Sequence, residues 1–209
     1  MPEPTFSVII PTIGRASLAE TLKSIAGQAA HPLDGGWLEN EVVVISDGPR
    51  SGAAWLCDMF NRSSGFALAS YEFTPPSRDW GATQRNLGMS RAKNDYLLFI
   101  DDDDIFVPLA FQTICRRIAQ RPGQPLMFRM EHHIVGTIWR EPAVIHRNVG
   151  TGMLVLPNDK GRIGRYSARY EGDFDFFTET EPLWPGGFVW LEDVIVACRK
   201  TWAQAGGEA

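Results

Sequence analysis

The sequence predicts an α/β fold: a mostly parallel sheet with helices on both faces. Three observations carry this. The runs "FSVIIPT", "EVVVIS" and "DYLLFI" are apolar nearly throughout, as strands buried on both faces are. Stretches with helical spacing separate them. Turn residues, Pro11, Gly48 and Pro108 among them, punctuate the joins.

Phe6–Thr12 is the first strand, stopped by Pro11. A helix follows in "SLAETLKSIAGQ", with Ser17 and Glu20 in capping-box positions and Leu18, Leu22 and Ile25 on one face. Glu41–Ser46 is the second strand, closed by "DGP"; Ala53–Asn61 is a helix and Phe66–Phe73 a third strand. "WGATQRNLGMSRA" supplies a helix, "DYLLFI" a strand, and Pro108–Gln120 another helix with Pro at its start. From about Leu126 the texture changes. Pro125–Asn148 reads as strands or a hairpin, Val149–Arg165 as a glycine-rich loop, "YEGDFDFFTET" as a short helix and "FVWLEDVIVACR" as a final strand. With 209 residues and no obvious linker, one domain is expected over 1–209, split into halves 1–108 and 109–209.

Composition narrows the function. A formal charge of −5 gives no reason to expect general affinity for nucleic acid or membranes. Cys57, Cys115 and Cys198 are widely spaced and odd in number, which fits a reducing compartment better than a disulfide framework. No apolar run approaches the roughly 20 residues that span a bilayer, and "MPEPTFSVII" has no basic leader start, so a cytoplasmic location is expected.

Ligands of parallel α/β sheets bind beyond the carboxyl ends of the strands. Pro11–Thr12, Asp47–Gly48 and Asp101–Asp104 each follow a strand directly, so they are expected to meet at one edge. Four consecutive carboxylates repel one another and need neutralising. Mg²⁺ or Mn²⁺ suits such oxygen donors and bridges them to substrate phosphates; Asp101 and Asp103 are candidates for the metal and Asp102 for a ribose hydroxyl. The plainer reading is a solvated loop in which Asp104 caps the next helix.

"FSVIIPTIGR", "VVVISDGP" and "GATQRNLGMSRAKNDYLLFIDDDDIFVP", in that order over Phe6–Pro108, resemble the nucleotide-binding half of family 2 glycosyltransferases of the GT-A fold. The resemblance implies a Rossmann-like sheet with a smaller mixed acceptor-side region, and an inverting transfer of one sugar from a nucleotide sugar, most often UDP-linked, to a hydroxyl. It puts Pro11, Thr12 and Asp47, with Arg15 beside them, around the nucleobase. Arg78 and Arg85 fall at the diphosphate or the nucleotide, Asp103 at the metal, and Asp101 and Asp102 at ribose and metal. "QRN" stands where the family has "ARN", and "SDGP" has one acid where the family often has two. "EGDFDFFTE" resembles the family's later helix start, which makes Asp173 the catalytic base, with Glu171 and Asp175 as neighbours; Glu192–Asp193 is a competing acidic pair. Otherwise Asp173 is a helix-terminal charge and Phe174, Phe176 and Phe177 are core.

Other positions stay open. Strand alternation points His132 and His133 to opposite faces, so at most one enters the cleft; His146 is undetermined. Trp80, Trp139, Trp184 and Trp190 are candidates to stack on a sugar, each as readily core. The run "KGRIGRYSAR" is basic enough to touch phosphates of a lipid or of DNA, or is plain surface charge. The acceptor alternatives are a saccharide, a lipid-linked intermediate, a protein, or a hydroxymethylated base in DNA. The rival functions are a sugar nucleotidyltransferase, for which "PTIGRASLAE" is poor in Gly and basic residues, and a non-catalytic nucleotide-sugar-binding module.

Overall fold

The computed structural model of the chain describes residues 3–30, 39–65 and 67–199. Phe66, placed by the sequence at the head of the third strand, lies outside them. The first half follows the apolar pattern closely. Strands β1 (Phe6–Thr12), β2 (Asn40–Asp47), β3 (Ala67–Thr74) and β4 (Tyr96–Phe99) pair in parallel in the order β3-β2-β1-β4. Helices α1 (Leu18–Ala26), α2 (Ser51–Ser63) and α3 (Ala82–Arg91) connect them. Every residue of β1 is buried, as its central place requires. On α3 the buried residues Ala82, Arg85, Gly88 and Met89 recur at helical spacing, so Arg85 is carried on the core-facing stripe. A Cβ on Gly88 would come within 2.5 Å of Ile9 Cγ2, so this glycine sets how closely α3 lies on β1.

The second half completes the same sheet with mixed polarity. Strand β5 (Asp104–Phe106) precedes helix α4 (Ala110–Gln120); β6 (Leu126–His132) and β7 (Gly136–Ile138) form the expected hairpin. The glycine-rich stretch, expected to be loop throughout, contains a strand, β8 (Leu154–Pro157), inserted antiparallel between β4 and β6. Its residues Leu154, Val155 and Leu156 are wholly buried, and that interior position outweighs the glycines on either side. Helix α5 (Gly172–Thr180) follows, and β9 (Val189–Cys198) lies parallel to β6 and antiparallel to β5.

Two local expectations fail. Ser17 has helical dihedrals (φ −58°, ψ −24°), and its side chain makes no capping bond among the described residues. A capping serine needs an extended backbone to aim its hydroxyl at the first turn. Asp104 does not cap the next helix, because it opens β5. Among the described residues no helix is long and apolar enough to cross a membrane.

Aromatic packing orients α5. The Phe176 ring stacks on Tyr166 (centroids 4.2 Å, 9° between planes) and meets Phe99 of β4 edge-on at 5.6 Å. Phe176 and Phe177 are fully buried. Asp173 precedes them by three and four residues and so shares the face that α5 turns inward.

Candidate active site

The three strand ends meet as the parallel sheet requires. Thr12 Oγ1 donates to Asp102 Oδ2 (2.5 Å), and the Ile13 amide reaches the same oxygen at 3.4 Å. Arg15 Nη1 lies 2.9 Å from Asp102 Oδ1 and 3.1 Å from Asp103 Oδ2. From the other side the buried Arg85 donates to Asp101 through Nη2 and to the Trp80 carbonyl through Nη1 (2.8 Å). Two guanidinium groups thus offset part of the acidic run. Burial helps with the rest by pushing the Asp102, Asp103 and Asp104 carboxyls up; Arg15 pulls against this at Asp102 and Asp103.

These side chains form two adjoining cavities. The smaller, about 400 Å³, is lined by all eight residues assigned to the nucleotide sugar: Pro11, Thr12, Arg15, Asp47, Arg78, Arg85, Asp101 and Asp102. The larger, about 870 Å³, contains Asp173, Asp104, His132, His146 and Cys198. Trp80, Arg85 and Asp101 belong to both and form the wall between them.

The wall rests on a strained loop. Asp47 Oδ1 accepts from the Ser77 amide (2.6 Å) and Oδ2 from the Arg78 amide (3.1 Å). Arg78 (φ 52°) and Trp80 (φ 60°) are left-handed, a conformation that costs non-glycine residues of order 1–3 kcal/mol and clusters at functional sites. Gly81 (φ 81°) follows, and a Cβ there would lie 2.8 Å from Arg85 Nη1. Asp47 therefore shapes the pocket by holding this loop, as well as lining it.

Carboxylate oxygens of Asp101, Asp103 and Asp104 lie within 4.8 Å of one another. This all-oxygen donor set fits a hard divalent cation. Asp104 was not among the metal candidates from sequence, whereas Asp102 is turned away into its bonds with Thr12 and Arg15.

Asp173 stands at the first turn of α5, its Oδ1 accepting from the Phe174 amide at 2.8 Å. Burial raises its pKa; the Phe174 bond and Arg85 act the other way, and Asp101 adds to the rise. Of its acidic neighbours, Asp175 is tied to Arg169 and Ser167, and Glu171 stands 3.8 Å from His146. Asp193 of the competing pair is bound to Arg117 (2.8 Å), and Glu192 lies 3.3 Å from Arg129.

The remaining candidates separate clearly. Trp80 is 65% exposed and meets Tyr170 edge-on at 5.1 Å at the cavity mouth, while Trp139 and Trp184 are buried and Trp190 packs against Trp139. The two imidazoles do not point apart: His132 and His133 stack at 4.8 Å, because β6 ends at His132 and the chain turns there. Three of the basic side chains in the run Lys160–Arg169 are internally engaged. Lys160 donates to the Met89 and Ala92 carbonyls, Arg162 covers the Trp184 ring, and Arg169 holds Asp175. Tyr166 and Tyr170, both at the larger cavity, escaped the sequence reading because isolated tyrosines carry no spacing signal.

The family model described as Glycosyl transferase family 2 matches residues 7–173. An uncharacterized glycosyltransferase of Haemophilus influenzae is 26% identical over 118 residues, 56% of this chain and 35% of that protein. The fold is shared with the crystal structure of S. aureus TarS (TM-score 0.74, 17% identity, 93% of this chain and 36% of that one). It is shared also with TarS 1–349 in complex with UDP-GlcNAc (TM-score 0.69, 14% identity, 98% and 62%). A mannosyltransferase of Pyrobaculum calidifontis in complex with GDP-Man and Mn²⁺ aligns at TM-score 0.64 with 16% identity, over 95% and 57% of the two chains. The chain thus spans little more than a third of the curated relative and of the TarS chain with TM-score 0.74.

Proposed function

The chain belongs to glycosyl transferase family 2, and on that premise we propose that it moves one sugar from a nucleoside-diphosphate sugar, UDP-linked by preference, to a hydroxyl acceptor with inversion at the anomeric carbon. The observation that carries this is the pair of adjoining cavities. The smaller gathers nucleotide-type contacts, the larger contains Asp173, and Arg85 with Asp101 stands at their junction. The UDP-GlcNAc and GDP-Man bound to structures of the same fold support a nucleotide-sugar donor.

Thr12 and Asp47 border the base and ribose side of the smaller cavity. Arg15, Arg78 and Arg85 supply planar cationic donors for phosphate oxygens, and Arg85 is pre-oriented by its bonds to Asp101 and the Trp80 carbonyl. Asp101, Asp103 and Asp104 would hold Mn²⁺ or Mg²⁺, which when bound offsets charge on the departing diphosphate. Asp173 accepts the proton of the acceptor hydroxyl as oxygen attacks C1 and the C1–O bond to the diphosphate breaks. Its partly buried carboxylate, with a pKa held above the ordinary value by burial, is a better base than an exposed one. Trp80 and Tyr170 offer aromatic faces at the mouth where an acceptor sugar would enter.

Asp173→Asn tests the assignment. Transfer from a UDP-sugar should fall by about 10²–10⁴-fold, while UDP-sugar affinity by calorimetry stays near wild type. Near-normal turnover removes Asp173 from the role. Pyrophosphate release from a nucleoside triphosphate and a sugar phosphate would instead identify a nucleotidyltransferase. Donor binding with neither transfer nor slow donor hydrolysis would identify a binding module.

A further inference from the structure

We propose that His132, His133 and Cys198 form a second cation site, selective for a borderline metal such as Zn²⁺, at the paired ends of β6 and β9. One ligand atom from each residue lies within 4.8 Å of the other two. Tetrahedral Zn²⁺ with bonds of about 2.0–2.3 Å needs ligand atoms roughly 3.4–3.8 Å apart, so small side-chain rotations close the site. Cys198 Sγ already stands 3.8 Å from His133 Nδ1.

The sheet builds this cluster. Cys198 pairs with His132 across the β6–β9 ladder and with Asp104 across β5–β9, and directly opposed residues project from one face. His132, Cys198 and Asp104 line the larger cavity, so an ion has an entry path. The turn after His132 then folds His133 back onto its neighbour's ring. The lone pair of His132 Nδ1 is held by two long contacts, from the Ile134 amide (3.2 Å) and the Val135 amide (3.4 Å), which a metal bond would replace.

One buried atom points independently to a missing ligand. Among the described residues nothing hydrogen-bonds Oδ1 of Asp104, and buried polar atoms normally have partners. Asp104 lies beside the thiol and stands between this cluster and the carboxylates of Asp101 and Asp103. Two imidazoles and a thiolate select a softer ion than the carboxylates of Asp101 and Asp103 do. On binding, the thiol proton leaves to solvent and the metal takes its place on sulfur. The site would tie β9 to β6 and β5 and so hold the end of the acidic run.

The test uses the full chain, stripped with chelator and titrated with Co²⁺ in excess Mg²⁺. One equivalent of Co²⁺ should bind with thiolate-to-cobalt charge-transfer absorption, and Zn²⁺ should displace it. At 100-fold excess over its Kd, Zn²⁺ should raise Tm by about 5–10 °C. Asp103→Asn should keep the band and Cys198→Ser abolish it. His133→Gln, which retains size and polarity should the cysteine variant misfold, should weaken Co²⁺ at least roughly tenfold, about 1.4 kcal/mol. No thiolate band at saturating Co²⁺, a band that survives Cys198→Ser, or unchanged affinity in His133→Gln overturns the proposal. Sugar transfer is not read, so the outcome stands apart from the catalytic assignment.

Discussion

Arg15 donates to Asp102 across 87 positions of sequence, placing Nη1 2.9 Å from the carboxylate, and the same nitrogen reaches Asp103. A residue just past the first strand thus offsets charge at the end of the fourth. The arginine and a divalent ion draw on the same Asp103 carboxylate, while a diphosphate would attract both.

The two effects separate in Arg15→Gln. Loss of the guanidinium should strengthen Mn²⁺ binding to the protein alone by roughly threefold to tenfold, since a half-exposed charge contact contributes about 1 kcal/mol. UDP affinity measured at saturating Mn²⁺ should fall. Manganese affinity that is unchanged or weaker would show that Arg15 and the cation do not compete.

Asp173 must be ionised to accept a proton. Burial raises its folded pKa, so activity should fall with decreasing pH at a value above the 3.8 of an ordinary aspartate. The acid limb of the kcat profile reads this directly. A limb at or below that value would mean that the carboxylate is better solvated than its place on α5 implies.

Gly88 should resist substitution although alanine is the better helix former. A Cβ would press within 2.5 Å of Ile9 Cγ2 in a fully buried contact. Gly88→Ala should therefore destabilise by about 1–3 kcal/mol in urea unfolding. Combined with Ile9→Ala it should lose less than the sum of the two changes. A stability gain in the single variant would show that α3 can lift from β1 freely.

Asp175 bears on acid stability and not on catalysis. Its bonds to Arg169, and then to Ser167, hold its pKa down to about 2, from 3.8. A depressed carboxylate stabilises the fold fully above the unfolded value, and that contribution is lost as pH falls from about 4 to about 2. Thermal midpoints between pH 2 and 5 should show this slope in wild type and a shallower one in Asp175→Asn. Identical slopes would show that the exposed pair is screened by solvent.

The parallel half was legible because β1, β2 and β4 are buried on both faces and must be apolar throughout. Once those strands are placed, geometry brings Thr12, Asp47 and Asp101 to one edge without further information. The failures share a different cause. β8 is four residues long, and its identity rests on partners in β4 and β6 rather than on its own glycine-rich neighbourhood. Asp104 joins the oxygen cluster because β5 starts there and pairs with β9, a contact across 94 positions of chain that local pattern cannot express. Which of four adjacent aspartates turns toward Thr12 is likewise decided by the meeting of two strand ends. The stacked histidines reflect where β6 stops, and alternation holds only while a strand continues.

Titration of UDP into wild type and Asp103→Asn, each with Mn²⁺ and with chelator, asks whether the acidic run grips the diphosphate through a cation. In wild type, manganese should tighten UDP by at least roughly tenfold, about 1.4 kcal/mol, and Asp103→Asn should lose most of that gain. Equal wild-type affinity with and without the metal, or a gain that persists in the variant, would contradict the account.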